Sequence, residues 1–171
     1  MPTKTPDRLA VVVAALDWDA EHTADDRLDL DLTAFVLGGD GQVISDDYFV
    51  FFNNLSSPEQ AVRLTGGTDG VRSETLVIDT TELPPQARSV VIAVTVYDGL
   101  AGFGQVADAV ITVDDSACGS VAEYSLSAGH RDAAAVAYAT LVVENGKWRF
   151  QASGEKFPSL AAMTDRYGIK T

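Results

Sequence analysis

Seven carboxylates fall within the fifteen positions from Asp17 to Asp31, between two apolar runs. Side chains so rich in oxygen suit three kinds of chemistry: holding a hard cation, presenting a solvated acidic surface, or pairing as general acid and base. The stretch "LDLDLTAF" has the period of a strand, so Leu28, Leu30 and Leu32 point to one face while Asp29 and Asp31 point to the other. Asp17 and Asp19 repeat the pattern around Trp18. Two carboxylates this close repel by roughly a few kcal/mol where solvent is partly excluded. If the two strands neighbour each other, Asp17, Asp19, Asp29 and Asp31 converge, and a bound cation relieves the repulsion.

Calcium suits such a cluster, because it accepts about six to eight oxygen ligands in flexible geometry, whereas magnesium keeps more of its waters. The cluster is not an EF-hand: counted from Asp29, the sixth position is Ala34 rather than Gly, and the twelfth is Asp40 rather than Glu. Zinc lacks ligands at metal-binding spacing, since His22, His130 and Cys118 are isolated from one another. No nucleophile elbow, Walker loop, HExxH or dinucleotide fingerprint occurs. Paired carboxylates can hydrolyse glycosides, but nothing else in the sequence marks the deep aromatic-lined cleft that such enzymes use. Three readings stay open on the residues alone: a cation-binding β domain, an interaction domain without metal, and a carboxylate-based hydrolase.

The elements that would position these acids are short strands punctuated by turn residues. "RLAVVVAAL", "LDLDLTAFVL", "YFVFFNN", "ETLVID", "SVVIAVTVY", "DAVITVD" and "AEYSLS" all have strand length and composition. "GGDGQ" separates the second from the third. Many short strands point to a sandwich or barrel rather than to alternating βα units. In "VAYATLVVENGKWRFQAS", Asn145-Gly146 predicts a two-residue hairpin, and the β-branched Thr140, Val142 and Val143 favour strand over helix. One helix is expected in "FPSLAAMTDRYG", capped by Ser159 and Gly168, with Leu160, Met163 and Tyr167 on the face that packs on a sheet. The fold expected is all-β dominated, with two mostly antiparallel sheets and one C-terminal helix. Residues 1–7 are expected to be a frayed N-terminus and residues 8–171 one domain.

Composition narrows the partners. The 171 residues carry 25 acidic and 12 basic side chains, a formal charge of −13. Phosphate backbones and anionic lipids repel such a surface; cations and basic proteins suit it. A lone cysteine, Cys118, forms no internal disulfide. The apolar run Leu9 to Leu16 meets Asp17 at once and reads as a buried strand rather than a secretory signal. No run approaches the roughly 20 apolar residues that span a bilayer, so a cytoplasmic location without membrane insertion is expected.

"LDWDA", "LDLDLTAFVL", "GQVISDDYFVFFNN", "TVYDGLAGFGQVADAVITV", "NGKWRF" and "SLAAMTDRYGI" resemble, in order and spacing, the TerD family of bacterial tellurium-resistance and stress-response proteins. The resemblance runs from about Leu9 to Ile169. It implies a non-enzymatic β-sandwich that binds calcium. Carried over residue by residue, it implies ligand roles for Asp19, Asp29, Asp31, Asp46, Asn53, Asn54 and Glu74, with Asp17 an additional acid where family members usually have Gly. Within "YDGLAGFGQV", Phe103 reads as core and Gly104 as a turn residue, with a ligand role for Asp98 or Gln105 as the alternative. The pattern departs at three places: Tyr48 and Gly67 stand where acids are usual, and Arg72 and Ser73 replace two aspartates. A cation beside Arg72 is disfavoured, so one calcium site is expected around Asp19, Asp29 and Asp31 and a second is weakened. A member whose metal site has decayed would instead act as a protein-interaction module.

Overall fold

The computed structural model describes residues 9–19, 30–51, 53–66, 73–96, 107–116, 119–125 and 135–169. The first strand, β1 (Val11–Asp19), alternates cleanly: Val12, Ala14 and Leu16 are fully buried, while Val11, Val13 and Ala15 are half-buried on the opposite face. Next come β2 (Leu30–Leu37), the two-residue β3 (Phe49–Val50), β4 (Val62–Gly66) and β5 (Ser73–Asp79). They are followed by β6 (Ser89–Val96), β7 (Ala107–Asp115), β8 (Gly119–Ser125), β9 (Ala135–Glu144), β10 (Lys147–Phe157) and the helix α1 (Leu160–Arg166). Two five-stranded antiparallel sheets result, in the orders β4-β5-β1-β7-β8 and β10-β9-β6-β2-β3. They form the β-sandwich expected from the sequence.

Burial is unequal on the two sheets. Between them lies the main core, into which Val12, Leu16, Leu30, Leu32, Leu76, Ile111 and Tyr138 project. The second sheet is buried on its outer face as well: Phe35, Phe49, Val91 and Ala137 there form a second cluster with Phe157, Met163 and Tyr167. Phe51, Phe49 and Phe35 stack in sequence, with ring centroids 4.3 and 4.6 Å apart, and Tyr167 meets Phe35 at 4.8 Å. Strand β2 is therefore apolar on both faces, and Asp31 interrupts an otherwise buried run.

Local signals explain several boundaries. Asn145 and Gly146 both have positive φ, 52° and 74°, as the hairpin turn requires. The Ser159 hydroxyl accepts the Ala162 N–H at 3.1 Å, capping α1. Gly168, at φ 90°, ends the helix, and a Cβ there would collide with Gln42. Gln42 Nε2 donates to the Arg166 carbonyl and Val43 N–H donates to that of Tyr167, fastening the end of α1 to the loop after β2. Trp148 packs at the margin of the main core.

Between β3 and β4 the chain crosses from one sheet to the other. Leu64 N–H donates to the Leu55 carbonyl and Ser57 N–H to that of Val62, so this crossing segment lies along the edge of β4. No helix among the described residues is long and apolar enough to cross a membrane.

Candidate functional site

Pairing registers bring the candidate acids to one end of the sandwich. In the first sheet Leu16 stands opposite Glu74 and Asp17 opposite Ser73, so the end of β1 adjoins the start of β5. In the second sheet Asp31, at the start of β2, stands opposite Thr95, near the end of β6. The sheets are linked at this end by Glu74, whose Oε1 accepts the Leu32 N–H at 3.2 Å. Strand β3 pairs only Ala34 and Phe35 of β2, and the Glu74 carboxylate supplies an acceptor to β2 ahead of that pairing.

Alternation then sets the direction of each acid. Glu74 shares a face of β5 with the buried Leu76 and Ile78, so it points between the sheets. Asp17 lies on the opposite face of β1 from Leu16 and is exposed on the outside of the first sheet. Asp31 alternates with Leu30 and Leu32 and shares the outer face of the second sheet with Thr33 and Phe35. Convergence of all four acids was conditional on the two acidic strands being neighbours, and β1 and β2 belong to different sheets. Asp17 and Asp31 consequently face opposite exteriors. Among the described residues no three His, Cys, Asp or Glu side chains gather into a group able to hold a metal ion. Asp29 and the side chain of Asp19 lie outside the described residues, as do Cys118, His22, His130, Asp98, Phe103, Gly104 and Gln105.

The remaining candidates belong to one loop around β3. Asp46 opens a 3-10 turn, Asp46–Tyr48, and is exposed, as is Asn53. Asn54 Nδ2 donates to the carbonyls of Asp47 at 3.1 Å and Phe49 at 2.8 Å, while its backbone closes a tight turn with Phe51. Asn54 thus braces the loop, and the antiparallel direction of β3 carries this turn toward the Asp31 end of β2.

One residue of this corner left no signal in the sequence. The Tyr48 hydroxyl donates to Glu59 Oε2 at 2.7 Å, and Glu59 Oε1 is buried with no hydrogen-bond partner among the described residues. Burial, the bond to Glu59, and the charges of Glu59 and Asp47 push the Tyr48 pKa up to about 12. Tyr48, standing where the resemblance expects an acid, thereby donates to one. Glu59 sits in "SSPEQ", which reads only as a turn, and nothing local indicates its distant tyrosine.

Comparison with known proteins agrees with this architecture. The family model described as "TerD domain" matches residues 3–167. The chain is 35% identical to the tellurium resistance protein TerD of Serratia marcescens, over 92% of this chain and 87% of that protein. It is 34% identical to the protein of the same name from an Alcaligenes species, over 98% of this chain and 92% of that one. A solved protein of unknown function shares the fold at a TM-score of 0.78 and 20% identity, covering 92% of this chain and 96% of the other. A family match across nearly all of the chain, joined to identities above 30% with two named relatives, shows that this chain belongs to the TerD domain family.

Proposed function

We propose that the domain binds calcium at the end of the sandwich where β1, β2 and β5 meet, and that it contributes to tellurite and stress resistance in the cytoplasm by binding rather than catalysis. One observation carries this reading: the acid-rich stretch from Asp17 to Asp31 leaves β1 and enters β2 at the end where Glu74 turns between the sheets. The ligands this reading assigns, Asp19, Asp29, Asp31 and Glu74, with Asn53 and Asn54 on the adjoining loop, all offer oxygen. That set suits calcium and offers zinc nothing soft. In this reading Asp19 and Asp29 supply what Asp17, which faces the opposite exterior from Asp31, does not. The tellurium-resistance names of the relatives support the physiological setting.

A second reading is favoured by the same divergence of Asp17 and Asp31: the metal site has decayed and the acidic surface binds protein partners. Thermal unfolding in EDTA, in millimolar calcium and in matched magnesium separates the two. Calcium at a hundredfold excess over its dissociation constant stabilises a protein by about 2.7 kcal/mol. For a chain of this size that raises the midpoint by roughly 5–10 °C. The rise is expected to be calcium-selective and absent from Asp29→Ala/Asp31→Ala. No calcium-specific rise in the wild type would falsify the calcium reading and leave the second.

A further inference from the structure

The two outer faces of the sandwich differ. On the second sheet, Phe35, Val91 and Ala93 are 0%, 3% and 0% exposed, on the face where α1 packs. On the first sheet, the outward Val11, Val13 and Ala15 of the central strand are only half-buried. Register places Val77 beside Val13 on one side and Asp114 on the other, and Thr75 and Thr112 flank Ala15. An aliphatic stripe thus runs along β1 with β5 and β7 as its shoulders. Strands lie about 4.8 Å apart, so the face from β5 across β1 to β7 is about 10 Å wide, aliphatic at Val77 and along β1 and polar at Asp114 and Thr112. One α-helix with its side chains has about that diameter.

The charge around the stripe is one-sided. Asp114 follows Val13 in its row, Glu123 follows Thr112 in the next, and Asp79 stands opposite Val11, with Asp17 at the far end of β1. Arg63, beside Val77, is the one cation among the described residues of this face. A second copy would set the same carboxylates against each other, and anionic lipid or nucleic acid would meet them too. We infer that the outer face of the first sheet is a docking surface for a basic amphipathic helix of a partner protein, with aliphatic side chains on the Val11–Ala15 stripe and Lys or Arg toward Asp114, Glu123 and Asp79. This inference is independent of calcium binding.

The test uses the whole chain in EDTA and two 18-residue peptides of identical Leu/Lys composition, one amphipathic as a helix and one scrambled. The amphipathic peptide is expected to bind at least tenfold more tightly, to shift the amide resonances of β1, β5 and β7, and to weaken with salt. Val13→Ser/Val77→Ser, which leaves the charge unaltered, should weaken binding at least tenfold, and Asp114→Asn/Glu123→Gln should reduce the salt dependence. Asp47→Asn/Glu144→Gln, acids placed on the second sheet and its loops, should do neither. No binding at millimolar peptide, equal binding of the scrambled peptide, or shifts on another surface would overturn the inference. So would insensitivity to the Val13/Val77 change, or self-association of the chain lost on that change, since the occupant would then be a second copy.

Discussion

Glu74 illustrates how a single side chain can serve two sheets. Its carboxylate meets the Leu32 N–H, and Leu32 itself is fully buried, so removing the acceptor leaves a backbone donor short of a partner. Such a loss costs about 1–3 kcal/mol. Glu74→Ala is therefore expected to lower the unfolding midpoint in EDTA by several degrees, and Glu74→Gln, which keeps an oxygen acceptor, by less. An unchanged midpoint for the alanine variant would show that the contact contributes nothing. Tyr48 makes a prediction about pH. Its pKa is raised in the folded state from 10.0 to about 12, so the unfolded chain gives up this proton first. The resulting stability is complete below pH 10 and declines as pH rises toward 12. Tyr48→Phe should flatten part of the alkaline fall in melting temperature, but not all of it, because burial raises Tyr124, Tyr138 and Tyr167 as well.

At the scale of elements, α1 holds its place by what it covers. Met163 is fully buried against the aromatic face of the second sheet, so Met163→Ala is expected to cost about 2–5 kcal/mol. Denaturant unfolding should show this as a lower midpoint at an unchanged slope. The helix, its Ser159 cap, its Gly168 stop and the Asn145-Gly146 hairpin were readable in sequence because each depends on neighbours a few residues away. Strand β4 was not: Val62–Gly66 is short, and its pairing with β5 and with the crossing segment is set by distant partners. Strand β1 likewise runs beyond the apolar Leu16 to Asp19, where it pairs with Ala107, and β8 begins early, at Gly119 opposite Asp115. The directions of the acids were only partly legible. Alternation predicts that Asp31 opposes Leu30 and Leu32, and it does. Nothing in the local pattern says that β1 and β2 enter different sheets, which decides that Asp17 and Asp31 face apart.

For the whole molecule, the crossing from β3 to β4 makes the sandwich a bound book. Its spine is the side where β3 and β4 lie, bound by the strap beside β4 and by Glu74 reaching Leu32. The fore-edge is the opposite side, where β8 ends one sheet and β10 the other. β8 ends its sheet with no described segment paired along its outer edge, whereas β4 carries the strap. Native-state hydrogen exchange should therefore find the ladder amides of β8 opening at lower free energy than those of β5, with β4 behaving as a bound page despite its marginal position. Equal protection of β4 and β8 would mean that the binding along the spine adds no rigidity. If the covers do part in this order, the Tyr124–Tyr138 contact, with ring centroids 5.6 Å apart just inside the fore-edge, is the first of the interior to be wetted.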